Sequence, residues 1–437
     1  MPSSIRQQAL EAFGIDYMAS VPAEGAWMEG LTKNKRGIEP TLSNLVTIFA
    51  NDPDLQMAEL NEFTQETVVR GRERVNGELW TDRHDAALRY ILERKYEMTV
   101  SGRDLADALL VHTQKNRFHP VREYLKGLRW DGVERAGMLF VDYLGSPSDD
   151  YHVEAAELTL LGAVTRVMEP GHKFDFVPIL EGTQGRRKST FIEVLAKGWF
   201  AGLDGNFDDR TRLVEKMQGA WILEVPELSA FSKSEVQIIK DFVSCSSDKV
   251  RLAYGRRAAV YPRQSIMIGS TNEDQYLKDT TGNRRFWPIR CKVGMIDTEK
   301  LAGNIDQIWA EAYDCYRRAR EEQPDGALNL SLQSGTAKDV ARTLQDARRA
   351  ETTADAWAGL ISEWLEGRDK ACLLQIWCEC FRREKDDYTS TVARTLAEAV
   401  RAVEGWEMTG ESCRFPVYGK QRLIRYSVPS VPLQFHP

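Results

Sequence analysis

A lysine and a serine that follow a glycine-rich turn are the residues of this sequence with the clearest chemistry. The segment VPILEGTQGRRKSTFIEVLA runs from an apolar strand through Gly182 and Gly185 to Lys188 and Ser189, and then into an amphipathic helix. Glycines let backbone N–H groups curl around phosphate oxygens, and a helix N-terminus attracts the same anion. Lys188 would neutralise the β- and γ-phosphates of ATP, and the Ser189 hydroxyl would bind Mg²⁺.

Arg187 departs from the usual form of such a loop, which has glycine before the lysine. A side chain there restricts the backbone torsion angles and crowds the nucleotide, so we expect a reshaped loop or a lowered affinity. An ordinary strand-turn-helix with basic residues is the structural alternative. The residues assigned to nucleotide binding are Gly182, Thr183, Gln184, Gly185, Arg186, Arg187, Lys188, Ser189 and Thr190.

A second apolar strand, Ala220 to Leu223, ends in Glu224 and is followed by Glu227. Carboxylates at the tip of a strand beside a phosphate loop can hold a metal shell or polarise an attacking water. Both glutamates are therefore catalytic candidates, with Glu224 also assigned to the metal. Because they are three residues apart, it stays open which of them holds the metal shell and which polarises the water. Surface acids at a strand end are the alternative.

A third strand, Ser265 to Ser270, leads into Thr271 and Asn272. An amide that emerges between the phosphate loop and the acid-tipped strand can position the attacking water, as the polar sensor residue of AAA+ enzymes does. An asparagine after a strand is otherwise a common turn residue. The order of the three segments within about 90 residues favours the catalytic interpretation.

Arg284 and Arg285 are adjacent and precede the apolar strand Phe286 to Ile289. One of them could serve as an arginine finger that reaches the γ-phosphate held by a neighbouring subunit. Pairing of both arginines to local acids is the structural alternative.

The stretch from Lys249 to Arg263 contains five cations and no carboxylate, with a turn signal at Tyr254-Gly255. This pattern predicts a basic β-hairpin. Cations bind a phosphate backbone and an aromatic ring stacks on a base, so single-stranded DNA is a natural ligand. A solvated hairpin without a ligand is the alternative. The residues assigned to DNA are Lys249, Arg251, Tyr254, Arg256 and Arg257.

The elements that position these residues follow from composition and periodicity. The chain has 437 residues, with 58 Lys and Arg against 65 Asp and Glu, so a DNA contact must come from a local patch. Helical periodicity predicts an α-helical region over 1–150. Strands that alternate with helices predict an α/β core with a parallel sheet over 151–325, followed by a helical linker over 326–350 and a small domain over 351–437.

The remaining features concern the cellular setting. No apolar run approaches the length of a membrane span and the first residues lack a signal-peptide core, so we expect no membrane contact and a cytoplasmic location. The seven scattered cysteines are typical of reduced thiols. The spacing of Cys372, Cys378 and Cys380 is typical of a helical core rather than of a metal site.

Together these segments resemble the virulence-associated protein E family, which is related to the superfamily 3 and poxvirus-type primase-helicases. The likeness covers much of the chain. Its matching segments are Phe118-His119-Pro120-Val121-Arg122, Trp130-Asp131-Gly132-Val133, Glu169-Pro170-Gly171, Gln184-Gly185, Lys188-Ser189-Thr190-Phe191, Glu224 with Pro226-Glu227-Leu228, Tyr254-Gly255-Arg256, Ser270-Thr271-Asn272 and Gly282-Asn283-Arg284-Arg285-Phe286-Trp287-Pro288.

The resemblance implies an AAA+ like P-loop ATPase of a phage, prophage or genomic island that forms a ring, expected to be a hexamer, and translocates on DNA during replication. It implies a Walker A role for Lys188 and Ser189, a Walker B role for the two glutamates and a sensor role for Asn272. The finger would be Arg284 or Arg285, and the hairpin would line the pore. Many relatives carry a primase domain of which this chain shows no trace, so priming would need another polypeptide.

The C-terminal unit resembles a winged helix, with Thr391 to Val403 as its third helix. Its wing would carry Arg414, Lys420, Arg422 and Arg425. Duplex binding and a packing role are both open for this unit. For the whole chain the predicted function is an ATP- and Mg²⁺-dependent DNA helicase or translocase. The alternatives are a nucleotide-binding DNA clamp or origin-binding module with weak ATPase activity, and a P-loop small-molecule kinase.

Overall fold

Two compact units make up the chain. The computed structural model describes residues 25–53, 55–69, 77–203, 207, 209–228, 233–251, 257–273, 276–277, 283–349 and 353–426. The large unit comprises Met1–Leu228, Ile238–Asn272 and Arg284–Arg342, and the small unit comprises Ser229–Gln237, Glu273–Asn283 and Thr343–Pro437. Packing thus groups most of the predicted 1–150 and 151–325 segments into one unit.

The N-terminal part of the large unit contains short strands as well as the helices that the sequence predicted. Its elements are a 3-10 helix Ala26–Gly30, β1 Lys33–Asn34, β2 Gly37–Ile38, α1 Leu42–Asn51, β3 Ala58–Asn61, β4 Glu66–Val69, β5 Glu78–Leu79, α2 Asp82–Tyr96, α3 Gly102–Lys115 and β6 Arg117–Phe118. Four of the strands form a sheet in the order β5-β4-β3-β6. Strands of two to four residues are too short to show an alternating pattern in the sequence.

Side-chain caps fix where the helices of this region begin. The Ser101 side chain accepts a hydrogen bond from the backbone N–H of Asp104, as predicted for the start of α3. His119 likewise caps the helix that begins at Pro120 and accepts from the backbone N–H of Arg122. Proline suits the first helical position because its missing N–H is not needed there.

A five-stranded sheet follows. The elements are α4 Pro120–Gly127, α5 Leu139–Leu144, α6 Asp150–Met168, β7 Val177–Glu181, α7 Lys188–Leu195, β8 Phe200–Gly202, α8 Arg210–Met217, β9 Ile222–Val225, α9 Lys233–Val243, β10 Ser247–Val250, β11 Ala259–Pro262, β12 Ile266–Thr271, a 3-10 helix Asn283–Arg285, β13 Phe286–Arg290 and α10 Thr298–Glu322. The sheet has the order β13-β7-β12-β9-β8. Every neighbouring pair is parallel, which confirms the predicted α/β fold with a parallel sheet.

Buried tryptophan side chains pack the helices against this sheet. Trp221, Trp287 and Trp309 are all buried. The rings of Trp221 and Trp309 lie 4.1 Å apart, and the indole N–H of Trp309 donates to the Leu195 carbonyl at the end of α7. The long helix α10 therefore holds α7, and with it the turn that precedes α7, against the sheet.

Strands β10 and β11 form a separate antiparallel hairpin in the large unit. Ser247 lies opposite Pro262, and Val250 lies opposite Ala259. The strands match the predicted hairpin, whereas its tip, residues 252–256, lies outside the described residues. The chain passes from the end of β11 into β12 through only three residues, Arg263 to Ser265.

The small unit has its own core of helices and a three-stranded sheet. Ile361, Leu396, Val400 and Ile424 are buried in it. Its sheet order is β14-β16-β15. The elements are the end of α11 Gly335–Ala347, α12 Thr353–Leu365, β14 Lys370–Ala371, α13 Leu373–Gln375, a π-helix Ile376–Cys380, a 3-10 helix Lys385–Asp387, α14 Ser390–Arg401, β15 Trp406–Phe415 and β16 Gly419–Tyr426.

The predicted wing corresponds to β15 and β16. Arg414, Lys420 and Arg422 are exposed on it. Arg425 is also exposed, and its guanidinium lies 3.3 Å from the carboxylate of Glu407 across the ladder. The acid precedes the wing cations in the chain, and only strand pairing brings it beside Arg425.

The described residues also show the state of the cysteines, the metal-ligating side chains and the character of the helices. All seven cysteines are free, and Cys372 is buried in the core of the small unit. Within the described ranges, no group of three or more metal-ligating side chains is found. Nor does that part of the chain contain a helix long and apolar enough to cross a membrane.

Candidate active site

The turn between β7 and α7 contains three residues with positive φ angles. Gly182 has φ 152°, Gly185 has φ 86° and Arg187 has φ 64°. The two glycines adopt such angles freely because they lack a Cβ atom. Arg187 is the N-cap of α7 in a left-handed conformation with ψ 33°. The position where the sequence lacks the expected glycine is thus one whose backbone conformation favours glycine.

The two arginines of the turn differ in their contacts. Arg186 donates to the carbonyl oxygens of Cys291 and Val293, the latter at 2.8 Å, and to the Thr183 hydroxyl at 2.9 Å. Arg187 is exposed, and its guanidinium lies 3.5 Å from the Thr298 hydroxyl. Arg186 therefore ties the turn to the segment after β13. The other assigned positions Thr183, Gln184, Gly185, Ser189 and Thr190 are exposed.

Lys188, the first residue of α7, points back into the turn. Its ammonium group donates to the carbonyl oxygens of Gly182 and Thr183, the latter at 3.1 Å, and to the side-chain oxygen of Asn272 at 2.8 Å. Only 8% of the residue is exposed. Burial lowers the pKa of Lys188 from its usual value, because desolvation disfavours the charged form.

Ser189 and Glu224 meet at the end of the sheet. The Ser189 hydroxyl donates to Glu224 Oε1 at 2.8 Å, and the Ser270 hydroxyl donates to the same oxygen at 2.8 Å. Glu224 lies inside β9 rather than beyond its end, and it is buried. Two neutral donors satisfy one oxygen of this carboxylate without neutralising its charge. A serine hydroxyl and a carboxylate are the hard oxygen ligands that Mg²⁺ takes in proteins.

Glu227 and Asn272 form the second polar pair. The Asn272 amide donates to Glu227 Oε1 at 2.6 Å. Glu227 has φ 49°, another left-handed backbone at a residue with a side chain. The side-chain oxygen of Asn272 accepts from Lys188 and its side-chain nitrogen donates to Glu227, so Asn272 connects the turn to the segment after β9.

The strand order explains this convergence. Strand β12 pairs with β7 on one side and with β9 on the other. Its C-terminal end therefore lies between the turn after β7 and the acid-bearing strand β9, which is the position that the sequence predicted for Asn272. The contribution of Ser270 was not foreseen. The position of Ser270 near the end of its strand could have predicted this contact, because parallel strands that end together bring their last polar residues side by side.

The arginines before β13 have separate surroundings. Arg285 is half-buried, and its Nε donates to the Ser244 hydroxyl at 2.8 Å. Arg284 is exposed. The structure thus gives Arg285 a local partner after α9 and leaves Arg284 at the surface of the large unit.

The residues of the predicted DNA hairpin fall into three groups. Lys249, Arg251 and Arg257 are exposed, whereas Tyr254 and Arg256 lie outside the described residues. Arg263 is buried and its guanidinium lies 2.8 Å from Asp248, so this fifth cation of the stretch, which was not assigned to DNA, is paired within the hairpin. Asp248 immediately precedes the stretch that looked free of acids, and the antiparallel pairing brings its carboxylate to Arg263.

The base of the hairpin is anchored by residues of the motifs quoted above. His119 Nε2 lies 2.7 Å from the side-chain oxygen of Gln264, and the backbone N–H of Gly171 donates to the Arg263 carbonyl at 2.9 Å. Arg166 is buried and donates to the Ser265 carbonyl at 2.7 Å. These contacts fix the short connection between β11 and β12, and so the start of the strand that ends at Asn272.

Comparisons with known proteins identify the family. A family model described as the virulence-associated protein E-like domain matches residues 125–350. Among solved structures, the chain is similar to the A form apo structure of the NrS-1 C-terminal region, with 11% identity, a TM-score of 0.46, and coverage of 89% of this chain and 100% of that chain. A second apo structure of that region gives 12% identity, a TM-score of 0.46, and coverage of 91% and 100%. No curated protein matches the chain.

The matched segment includes the turn after β7, both glutamates, Asn272, the hairpin strands and the paired arginines. It spans more than half of the 437 residues. The chain belongs to the virulence-associated protein E-like family.

Proposed function

We propose that the chain is an AAA+ like ATPase that hydrolyses ATP with Mg²⁺, assembles as a ring and translocates on single-stranded DNA in the replication of a phage or genomic island. The observation that supports this is that two hydrogen-bonded groups, Lys188 with Asn272 and Glu227, and Ser189 with Glu224, come together at one end of the parallel sheet. Crevices outside the carboxyl ends of parallel strands are where α/β proteins bind ligands.

Lys188 would bind the β- and γ-phosphates. Without a nucleotide its ammonium is held by two backbone carbonyl oxygens and by Asn272. Phosphate oxygens are charged and make stronger hydrogen bonds than carbonyl oxygens, so a nucleotide would draw the ammonium away from these partners. The release of Asn272 from Lys188 would then accompany nucleotide binding.

Ser189 and Glu224 would hold Mg²⁺, which when bound neutralises charge on the β- and γ-phosphates. The 2.8 Å contact between them supports this assignment, because both oxygens already converge on one point. Ser270 would keep the Glu224 carboxylate oriented toward Ser189. The sequence left the roles of the two glutamates open, and this geometry favours Glu224 as the metal ligand.

Glu227 would accept a proton from the attacking water. Its carboxylate is separate from the Ser189 contact and is hydrogen-bonded by Asn272. That amide is a donor toward Glu227 and an acceptor toward Lys188, so it can align a water between the phosphate and the base. Arg284, which is exposed, would reach the γ-phosphate of a neighbouring subunit, while Arg285 holds the local structure through Ser244.

The hairpin would contact DNA through Lys249, Arg251 and Arg257, which are exposed in an otherwise acidic protein. We also propose a winged-helix type for the small unit, whose exposed wing cations suit a phosphate backbone. A weakly hydrolysing DNA clamp is the second candidate. The left-handed Arg187 favours it, because a strained turn binds the nucleotide less well.

Steady-state ATP hydrolysis with and without oligothymidylate tests the proposal. Lys188→Ala should lose nucleotide binding and turnover, whereas Glu227→Gln should bind ATP normally and lose about 10²-fold or more in turnover, the range for removal of a general base. Lys173→Ala is the matched control, because that exposed lysine pairs with Asp175 away from the site. Near-normal turnover in both site variants would refute the ATPase assignment. Slow turnover that DNA does not stimulate would favour the clamp.

A further inference from the structure

A cleft of about 210 Å³ lies in the large unit beside the hairpin. One wall is β11, with Tyr261 and Pro262, and another is the C-terminal end of α8, with Met217 and Gln218. The turn after β3 adds Phe63. Clefts that take drug-sized ligands measure about 300 to 1,000 Å³. This one is therefore of a size for a single ring system.

The lining combines flat apolar surface with amide groups. Phe63 and Tyr261 are aromatic, and Gln65 and Gln218 are among the other lining residues. The side-chain nitrogen of Gln218 is buried and has no hydrogen-bond partner in the described part of the chain. A buried donor without a partner costs about 1 to 3 kcal/mol. A ligand with a ring would fill the space between the apolar walls, and its acceptor atom would pair with this amide once the Gln218 side chain turned toward the cleft.

The pairing register of β10 and β11 shows where the cleft lies relative to the exposed cations of the hairpin. Tyr261 lies directly opposite Asp248, so their side chains share the inner face of the hairpin, while the pair Lys249 and Val260 occupies the other face. Among the described residues β11 pairs only with β10, which leaves its second edge open. A nucleotide carries its phosphate and its base on opposite sides of the sugar. A strand that follows the edge of β11 can therefore place phosphates toward Lys249 and a base toward Tyr261.

The charge inside the cleft does not oppose this arrangement. Asp248 lines the cleft, but its carboxylate lies 2.7 Å from Arg210 and 2.8 Å from Arg263. Because two guanidinium groups pair with it, this carboxylate presents no uncompensated negative charge to the cleft. An anionic strand is therefore not repelled at its mouth.

We infer that this cleft binds one nucleobase of the single-stranded DNA held by the hairpin, with Tyr261 as the stacking face and Gln218 as a hydrogen-bond donor to the base. The inference rests on the proposed function, since it presupposes that the hairpin holds DNA. It adds a base contact at the foot of the hairpin to the phosphate contacts of Lys249, Arg251 and Arg257. The subunit would then sense the position of each base along the strand, and not only the charge of the backbone.

The inference can be tested by measuring the affinity for a series of oligothymidylates. In each of them one nucleotide is replaced by an abasic analogue, and the replaced position moves stepwise along the strand. The unmodified protein should lose about tenfold in affinity when the abasic analogue occupies one particular position, the size expected for stacking of a single base. Tyr261→Ala should bind every oligonucleotide of the series equally, at the weakened level. Tyr261→Phe should restore the position dependence, because it keeps the ring, and Gln218→Met should reduce it while keeping the shape of the side chain.

Salt dependence separates this site from the phosphate contacts. Tyr261→Ala should leave the slope of log affinity against log salt unchanged, whereas Lys249→Ala should lower it by about 0.7 and keep the position dependence. If unmodified oligothymidylate does not bind, the proposed function itself fails. If it binds but Tyr261→Ala keeps the position dependence, the inference about the cleft is overturned and the proposed function stands. Stronger binding of a matching RNA series would transfer the inference to RNA.

Discussion

Arg187 holds a backbone conformation that few residues with a side chain adopt. Its φ of 64° and ψ of 33° lie in the left-handed region, directly before the helix that begins with Lys188. Such a conformation costs of order 1 kcal/mol for a residue other than glycine. The cost is borne at the turn whose carbonyl oxygens hold Lys188, so the turn is strained where a nucleotide would bind.

Replacement of Arg187 by glycine should relieve that strain. We expect Arg187→Gly to raise the free energy of unfolding by about 1 kcal/mol and to tighten nucleotide binding or raise turnover, because glycine adopts the angle freely. Thermal unfolding and binding of a fluorescent ATP analogue would measure both effects. Arg187→Ala is the control, since it removes the guanidinium and keeps a Cβ atom. An equal loss of nucleotide binding in the two variants would show instead that the Arg187 side chain contacts phosphate.

His119 connects two elements that are far apart in the chain. It caps α4 and lies 2.7 Å from Gln264 between β11 and β12. Burial lowers the pKa of His119 to about 4, with the neighbouring cations Arg122 and Lys126 also lowering it, while Gln264 raises it. The imidazole is therefore neutral in the folded protein at neutral pH. Protonation would remove the ring nitrogen that accepts from the backbone of Arg122.

Acid should therefore destabilise the large unit through His119. Below pH 6.5 the unfolded chain takes up a proton at this residue, but the folded chain does so only near pH 4, so stability is full above pH 6.5 and falls by roughly 3 kcal/mol toward pH 4. His119→Asn keeps a capping side chain and should flatten this part of the pH profile in urea unfolding. Gln264→Leu should retain the pH dependence. Parallel profiles for His119→Asn and the unmodified protein would contradict the assignment.

The same elements show what sequence alone could and could not predict. Strand β7 is apolar from Val177 to Leu180 and buried at every position, so the sequence predicted it together with the turn and the helix that follow. The N-terminal sheet was not, because β5 and β6 have two residues each. The pairing of Asp248 with Arg263 was also hidden, since only strand register brings together residues on either side of a turn. Patterns predict elements, whereas contacts between elements need coordinates.

At the scale of the whole assembly, the exposed Arg284 gives the proposed ring a test. A Lys188→Ala subunit keeps its arginine and an Arg284→Ala subunit keeps its phosphate turn, so each should be inactive alone and a mixture should regain ATP hydrolysis at interfaces that combine the intact groups. Arg285→Ala is the matched control and should not complement, because Arg285 bonds to Ser244 within its own subunit. Absence of recovery in confirmed mixed rings would mean that Arg284 does not act between subunits.

The direct passage from β11 into β12 has a mechanical consequence. The chain from Arg263 at the foot of the hairpin to Asn272 is ten consecutive residues, most of them in a strand flanked by parallel neighbours on both sides. A tensile load on the hairpin acts along the axis of that strand, where the ladder hydrogen bonds resist it together in shear rather than one after another. Strand β12 and its two neighbours are therefore expected to move as one body, so that a displacement of the hairpin also displaces Asn272, about 30 Å away along the chain.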